Sequence, residues 1–320
     1  MGSHSAQGGV KVRIAVVGAG SIGIGWALHF ASHGHEVRLF DVDAAQLASV
    51  DTRVKERLQL LSEHSLITDS IDTIANRIST HDTLAEAVTG ASYIQECGPE
   101  NLEFKRNLFL EIENSASESA VIASSSSAIP SSKFTGSMQH PERALVVHPG
   151  NPPYLLLVAE LVPHANTSAE VLGFVRDLLE STGMSAVTVR GEPEGFVFNR
   201  LQGAVLREAY CLVRDGVISP RELDEIMIRG LGKRWSLIGA FGTSALNVKG
   251  GITSHAARMG DSYHRMGIER GQDDPWTDEL VAQVAEDIAK KFLPDHWEAD
   301  VVKRDLALMK LTAVMKELGL

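Results

Sequence analysis

Three closely spaced glycines constrain this chain more than any other feature. Gly18, Gly20 and Gly23 lie between VKVRIAVVG, an apolar run of strand character, and SIGIGWALHFASHG, an amphipathic helical pattern that stops at glycine. HEVRLFDVD follows as a second strand, so the three segments form one βαβ unit. GxGxxG is informative in that context. The first glycine permits a tight turn, the second lets main chain approach a pyrophosphate, and the third brings helix against strand. The helix N-terminus behind the loop favours an anion. Gly18 to Gly23, with Ser21 and Ile22 inside the span, is therefore the expected dinucleotide loop. Asp41 closes the second strand 18 residues after Gly23. An acid there accepts from both adenosine ribose hydroxyls and repels a 2′-phosphate, which makes NAD the expected cofactor rather than NADP. On these residues alone, a plain tight turn and a solvated strand end remain the alternative.

Strand and helix keep alternating. A charged helix is expected from about Ala44 to Glu63, then RISTH, the helix DTLAEAV, the strand ASYIQEC, the helix ENLEFKRNLFLEIENS and the strand AVIASSSS. ALVVHPG, LLLVAELVP, the helix SAEVLGFVRDLLESTG and the strand SAVTVRG follow. After Gly195 strand signals nearly vanish, and GFVFNRLQGAVLREAYCLVRDG reads as one long helix with a glycine stop. The fold class is α/β: an N-terminal Rossmann, doubly wound, mostly parallel sheet followed by an all-α C-terminal domain. GEPEG, residues 191–195, breaks the pattern, giving a nucleotide domain over 10–193 and a helical substrate and dimerisation domain over 194–320.

At 320 residues and 44% hydrophobic, the chain has enough apolar mass for two cores. Its net charge of −11 and the lack of a Lys/Arg cluster argue against a nucleic-acid surface. Two cysteines, Cys97 and Cys211, stand in unlike contexts and suggest neither a disulfide framework nor a zinc site, so no metal is expected and a cytoplasmic setting fits. MGSHSAQGG lacks the apolar core of a signal peptide and reads as a floppy leader. No apolar run reaches the roughly 20 residues that span a bilayer.

HPGNPPYLLLVAEL, residues 148–161, places a single carboxylate, Glu160, in an otherwise greasy segment. An unpaired buried carboxylate is costly, so Glu160 needs a partner or water. His148 sits at the C-terminal end of a strand, the edge where doubly wound sheets bind ligands. Glu160, twelve residues on along a returning strand, is a candidate to orient that imidazole and balance its charge as it takes a proton. The residues alone equally allow His148 to pack against Pro149 while Glu160 faces solvent.

The ordered set GAGSIG, Asp41, PENLEFK, SSSSAIPSS, HPGNPP, Glu160 and GFVFNR resembles the 3-hydroxyacyl-CoA dehydrogenase family, from the first strand into the helical domain. IQECGPENLEFKRNLF, SSSSAIPSSKF, HPGNPPYLLLVAELVPH and GLGKRW are most similar to its lambda-crystallin, or L-gulonate 3-dehydrogenase, branch; the last 60 or so residues match more loosely. The resemblance implies NAD-dependent oxidation of an alcohol at carbon 3 of a 3-hydroxy acid or thioester, with a His148–Glu160 dyad as base. It implies that Ser127, 21 residues before His148, offers a hydroxyl to the substrate oxygen and that Asn199 donates to that oxygen or orients the ring. Glu100 and Lys105 match positions near the nicotinamide ribose, and Asn151 orders the turn after His148 and contacts ligand. A homodimer through the helices, including the amphipathic VVKRDLALMKLTAVMKELG, is also implied.

Substrate readings diverge. A coenzyme A binder is expected to carry basic side chains in the helix after the second strand. Here Arg53, Lys55 and Arg57 are outnumbered by Asp51, Glu56, Glu63, Asp69 and Asp72. Arg234, after Gly232 in GLGKRW, is the candidate reader of a free carboxylate, with a plain surface arginine as the alternative. The expectation is a free 3-hydroxy acid such as L-gulonate, with a short 3-hydroxyacyl-CoA such as 3-hydroxybutyryl-CoA, or L-carnitine, as alternatives. L-Carnitine would want an aromatic cage, for which Tyr154, Trp235 and Phe241 are the candidates. A crystallin-like NAD-binding structural protein is the non-enzymatic alternative. Gly150, where the branch carries a bulkier residue, and AFGTSALNVKGGITSHAARMGDSYHRMG depart from the pattern.

Overall fold

A computed structural model describes residues 11–249, 251–270, 279 and 296–317. The leader MGSHSAQGG lies outside the described residues. Strand β1 (Arg13–Val17) sets the layering. Ile14 and Val16 point into one apolar cluster, whereas Ala15 and Val17 point into another. A strand whose alternate residues are all apolar is covered on both faces, as in a doubly wound sheet.

The other strands are β2 (Glu36–Phe40), β3 (Ile78–His81), β4 (Tyr93–Glu96), β5 (Val121–Ser124), β6 (Ala144–Pro149), β7 (Val158–Val162) and β8 (Ser185–Thr188). They form one eight-stranded sheet in the order β3-β2-β1-β4-β5-β6-β7-β8. Every pairing is parallel except β6 with β7, which puts His148 directly opposite Glu160. The reversal between β1 and β4 opens the crevice in which such sheets bind ligands.

Helices α1 (Ser21–Ser32), α2 (Ala44–Glu63), α3 (Ile71–Ala75), α4 (Leu84–Val88), α5 (Leu102–Ser115) and α6 (Ala169–Ser181) flank the strands. Most start on a side-chain cap: Asp43 for α2, Ser70 for α3, Thr83 for α4, Asn101 for α5 and Ser168 for α6. Each cap satisfies amides that the first turn leaves orphaned and contributes about 1 kcal/mol. Helix α1 has no side-chain cap at Gly20. It is buried nearly all round, with Trp26 stacked on Phe30 at 5.3 Å between centroids.

Beyond the sheet come α7 (Phe198–Arg214), α8 (Pro220–Ile226), a π-helical turn (Met227–Leu231), α9 (Gly232–Asn247), α10 (Gly251–Arg270) and α11 (Trp297–Glu317). No strand follows Thr188 among the described residues. The chain divides into two compact units. One runs up to Arg200 and includes Asp305–Val314; the other comprises Leu201–Arg304 and the stretch from Met315. The C-terminal helix expected to serve dimerisation therefore contributes to the first unit. Met309 is fully buried in the sheet's larger apolar cluster, and the Tyr154 hydroxyl donates to Asp305 at 3.5 Å.

Two boundaries differ from the sequence reading. LLLVAELVP is strand only from Val158, because the amides of Leu155 and Leu156 bond back to the Pro152 carbonyl and close a turn. The helix expected from Gly195 starts at Phe198, because Gly195 and Phe196 take left-handed backbone, φ 73° and 50°. The short helix α3 and the π-helical turn have no counterpart in that reading.

Candidate active site

The glycine loop is shaped by contacts that exclude side chains. Gly18 has φ +112°, and its amide donates to the Phe40 carbonyl at 2.7 Å. A Cβ at Gly23 would lie 1.8 Å from the Gly18 carbonyl oxygen, so only glycine lets the helix start this close to the strand. A Cβ at Gly20 would meet nothing within 4 Å, which leaves open space beside an uncapped helix start. Ser21 is exposed there and Ile22 half-buried. Asp41 ends the same cradle, accepting from the Ala19 amide at 2.6 Å and the Asp43 amide at 2.9 Å. Arg53 donates to the Ala19 carbonyl at 2.8 Å, holding the loop from its other side. Orphaned amides, an open approach and an acid at the end of β2 fit a dinucleotide.

The lone carboxylate of the greasy strand is fully engaged. Glu160 Oε2 meets His148 Nδ1 at 2.8 Å. Oε1 accepts from the amides of Val197 at 2.8 Å and Phe198 at 3.0 Å. The left-handed turn at Gly195 and Phe196 aims those two amides at the carboxylate. Positive φ is uncommon for a bulky residue, and the buried Phe196 ring holds it there. Burial by itself would raise the Glu160 carboxyl. The hydrogen bonds from His148, Phe198 and Val197 outweigh burial and hold it below the usual carboxylate range. An ionised carboxylate only accepts, so Nδ1 of His148 is the donor and Nε2 of a neutral ring is left with its lone pair. Phe196 and Phe198 flank the imidazole at 5.8 and 6.0 Å.

Asn199 Nδ2 donates to the Ser127 carbonyl at 2.8 Å, tying the start of α7 to the loop after β5. Ser127, His148, Glu160 and Asn199 thus belong to one unit and one connected set of contacts. Among the described residues the Ser127 hydroxyl has no hydrogen-bond partner. Glu100 and Lys105 are placed less simply. Glu100 Oε1 accepts from Ser126 Oγ and from the amides of Ala128 and Ile129. Burial would raise that carboxyl, but these three bonds and nearby Lys105 hold it low. Lys105 is 1% exposed, and its ammonium donates to both oxygens of Glu96 at 3.0 and 2.8 Å. Glu96, fully buried at the end of β4, is absent from the sequence reading. Only its place in an apolar strand, like that of Glu160, hinted at it. The amides of Val197 and Phe198 were missed as well, because main-chain donors leave no residue signature.

Asn151 is exposed on the turn after His148. At Gly150 a Cβ would stand 2.8 Å from Leu156 Cβ, so the turn leaves no room for a side chain there. Arg234 belongs to the second unit, exposed, with its guanidinium on Asn247 Oδ1 at 3.0 Å. Trp235 lines an apolar cavity of about 840 Å³ in that unit with Leu212, Met227 and Tyr263, and Phe241 is 84% exposed. Tyr154 belongs to the first unit. Lys55 pairs with Asp51 at 2.9 Å, and Arg57 donates to the Arg53 carbonyl. Cys97 lies beside the glycine loop, its thiol pushed up to about 12 by burial. Among the described residues no group of His, Cys, Asp and Glu side chains is arranged to hold a metal ion, and no helix is long and apolar enough to cross a membrane.

A glycine cradle with an acid at the end of β2, and a His–Glu pair across an antiparallel strand junction of the same sheet, define an NAD-dependent oxidoreductase. The model of the 3-hydroxyacyl-CoA dehydrogenase NAD binding domain matches residues 13–192 and that of the C-terminal domain of the same enzymes matches 195–291, so the chain belongs to the 3-hydroxyacyl-CoA dehydrogenase family. It is 36% identical over 311 residues to the lambda-crystallin homolog of Mus musculus, covering 96% of both chains. It is 34% identical over 266 residues to the L-carnitine dehydrogenase of Streptomyces coelicolor, covering 83% of this chain and 80% of that one. Among solved structures, 5-formyl-3-hydroxy-2-methylpyridine 4-carboxylic acid 5-dehydrogenase, an NAD+-dependent dismutase, superimposes with a TM-score of 0.83 at 25% identity, covering 96% of this chain and 99% of that one.

Proposed function

We propose that the protein oxidises the 3-hydroxyl of a free 3-hydroxy acid to the 3-keto acid, an L-gulonate 3-dehydrogenase-like activity. The observation that carries this reading is the His148–Glu160 pair. With Nδ1 committed to a carboxylate held by two amides, Nε2 is the base that takes the hydroxyl proton, and Glu160 stabilises the imidazolium formed. Bound NAD supplies the hydride acceptor at the substrate carbon. Gly18, Gly20, Ser21, Ile22 and Gly23 would hold its pyrophosphate and Asp41 its adenosine ribose, while Glu100 and Lys105, expected near the nicotinamide ribose, have their charged groups engaged within the chain. Ser127 donates to the substrate oxygen, Asn199 keeps Ser127 in place, and Asn151 closes the turn beside them.

The occupied basic residues support the free acid over a thioester. Arg53, Lys55 and Arg57 all spend their side chains within the chain, which leaves little for coenzyme A phosphates. Arg234 is then the carboxylate reader, exchanging Asn247 for substrate. L-Carnitine is the second reading, favoured by the likeness to the Streptomyces coelicolor enzyme and by Trp235 beside the apolar cavity. The test is NADH formation with L-gulonate, L-carnitine and 3-hydroxybutyryl-CoA at equal concentrations. Turnover of a free acid that falls in Arg234→Ala supports the assignment. Preference for the thioester overturns it. NAD binding without turnover of any 3-hydroxy acid favours a crystallin-like role.

The working form is a homodimer through the helical unit, in a cytoplasmic setting. Leu201, Ile228, Phe241, Leu246 and Ile268 of that unit are each at least 59% exposed, an apolar surface that wants a partner. A light-scattering mass equal to the 34.6 kDa chain would refute the dimer.

A further inference from the structure

Between β5 and β6 the residues around Ser127 form no regular strand or helix, so something other than a ladder must fix their path. Two carboxylates from the β4–α5 corner do so. Glu100 Oε1 collects three hydrogens from this loop: Ser126 Oγ at 2.5 Å, the Ala128 amide at 3.0 Å and the Ile129 amide at 3.0 Å. Glu96 acts from the other side. Its Oε2 accepts from Ser124 Oγ at 2.5 Å, and Ser124 Oγ in turn accepts from the Ser126 amide at 3.1 Å. Lys105 ties the two acids together, bonded to Glu96 and 4.0 Å from Glu100 Oε2. The donors at 126, 128 and 129 bracket Ser127, whose carbonyl is taken by Asn199.

We propose that Glu100, backed by the buried Glu96–Lys105 pair, is a positioning residue that sets the Ser127 loop for the reaction of His148. This rests on the reading above of Ser127 as a substrate contact, and it gives Glu100 a task distinct from touching the cofactor. Every donor to Glu100 comes from the loop, and all converge on one oxygen. Lys105 has its ammonium turned to Glu96 and Ser124, so it works as a fixed charge inside the brace. Removing the Glu100 carboxylate leaves the Ala128 amide without its partner, and the Ser126 hydroxyl and the Ile129 amide are left only with each other and the Ile129 carbonyl, so the loop loses its one anchor on the β4–α5 corner through these donors.

The test compares Glu100→Ala, Glu100→Gln, Ser127→Ala and the double variant Glu100→Ala/Ser127→Ala in the full chain. Glu100→Ala is expected to lower kcat by about 10- to 100-fold, the scale of a small misplacement at a reacting centre, with less than about a threefold change in the NADH dissociation constant read by fluorescence. Glu100→Gln keeps a carbonyl acceptor for the same three donors and should stay within about fivefold of the parent kcat. The double variant should be no slower than Ser127→Ala alone, because Glu100 acts through Ser127. Hydrogen exchange of the peptide over 125–130 needs no turnover: it should speed up by at least about tenfold in Glu100→Ala and stay near parental in Glu100→Gln. A tenfold weaker NADH affinity with kcat unchanged, losses that multiply in the double variant, or unaltered exchange would each overturn the proposal. Faster exchange in Glu100→Ala, alongside a parent protein that turns over no 3-hydroxy acid, would uphold the brace and sink the dehydrogenase reading instead.

Discussion

Glu96 and Glu160 are two carboxylates on buried strands of one sheet, 0% and 5% exposed, and they have opposite chemistry. Glu96 faces a lysine. Four donor contacts, from Lys105 twice, Ser124 and Gly98, close both of its oxygens, and the lysine spends its hydrogens inside the same cluster. Nothing is left to exchange a proton with a ligand. Glu160 faces an imidazole. It too is closed, by His148 and two amides, but its partner keeps a second nitrogen. A buried acid paired with a lysine braces the fold, and the same acid paired with histidine leaves a ring nitrogen with its lone pair, which the proposed reaction uses as its base. The partner decides, since both carboxylates are buried and fully bonded.

Several substitutions break or sharpen that contrast. His148→Gln should cut kcat by about 1,000- to 10,000-fold while NAD binding and the unfolding midpoint stay near parental, because only the base is lost. Glu96→Ala should act on the fold itself, destabilising it by about 3–5 kcal/mol in urea denaturation through a buried lysine left without its carboxylate. Glu160→Gln sharpens the point. Its amide would donate to Nδ1, place the imidazole proton on Nε2 and lower kcat by roughly 100- to 1,000-fold with little change in NAD affinity. Asp41→Ser removes the acid from the glycine cradle and should weaken NAD binding by about tenfold or more in titration calorimetry while easing NADP binding.

The smallest expected effect is a pH dependence of stability. His29 is buried with Nε2 on Thr182 Oγ1 at 2.7 Å. Burial, with His33 and His35 adding repulsion, lowers its affinity for a proton well below the ordinary imidazole value. The folded protein keeps His29 neutral while the unfolded chain protonates below about pH 6.5, so its contribution is complete above that pH and declines as pH falls. Denaturation at pH 7.5 and 5.5 should show the loss, and His29→Gln should make it shallower.

The sheet and its cofactor loop were legible because each depends on pattern, whereas the His–Glu pair was open on the residues alone and was decided by the family resemblance. β1, α1 and β2 bracket three glycines, α2 spans Ala44–Glu63 as the charged period indicates, and the returning strand β7 brings Glu160, twelve residues on in sequence, opposite His148. What escaped depends on main chain or on contacts distant in sequence. An apolar run cannot tell a buried turn from a buried strand, so Leu155 and Leu156 read as β7. Gly195 signals a break, but nothing in the type of Phe196 announces left-handed backbone, so the amide pair that anchors Glu160 stayed hidden. Glu96 sits in YIQE, where an acid at a strand end reads as solvated until α5 brings Lys105 over it.

The most direct measurement is a pair of experiments on the parent and His148→Gln: NAD binding by calorimetry, and single-turnover NADH formation with saturating NAD and an oxidisable 3-hydroxy acid. The account expects equal binding in both and an absorbance rise at the chemical step only in the parent. Equal turnover in the two proteins would contradict it, because the proton would then have left the substrate without the base that Glu160 holds in place.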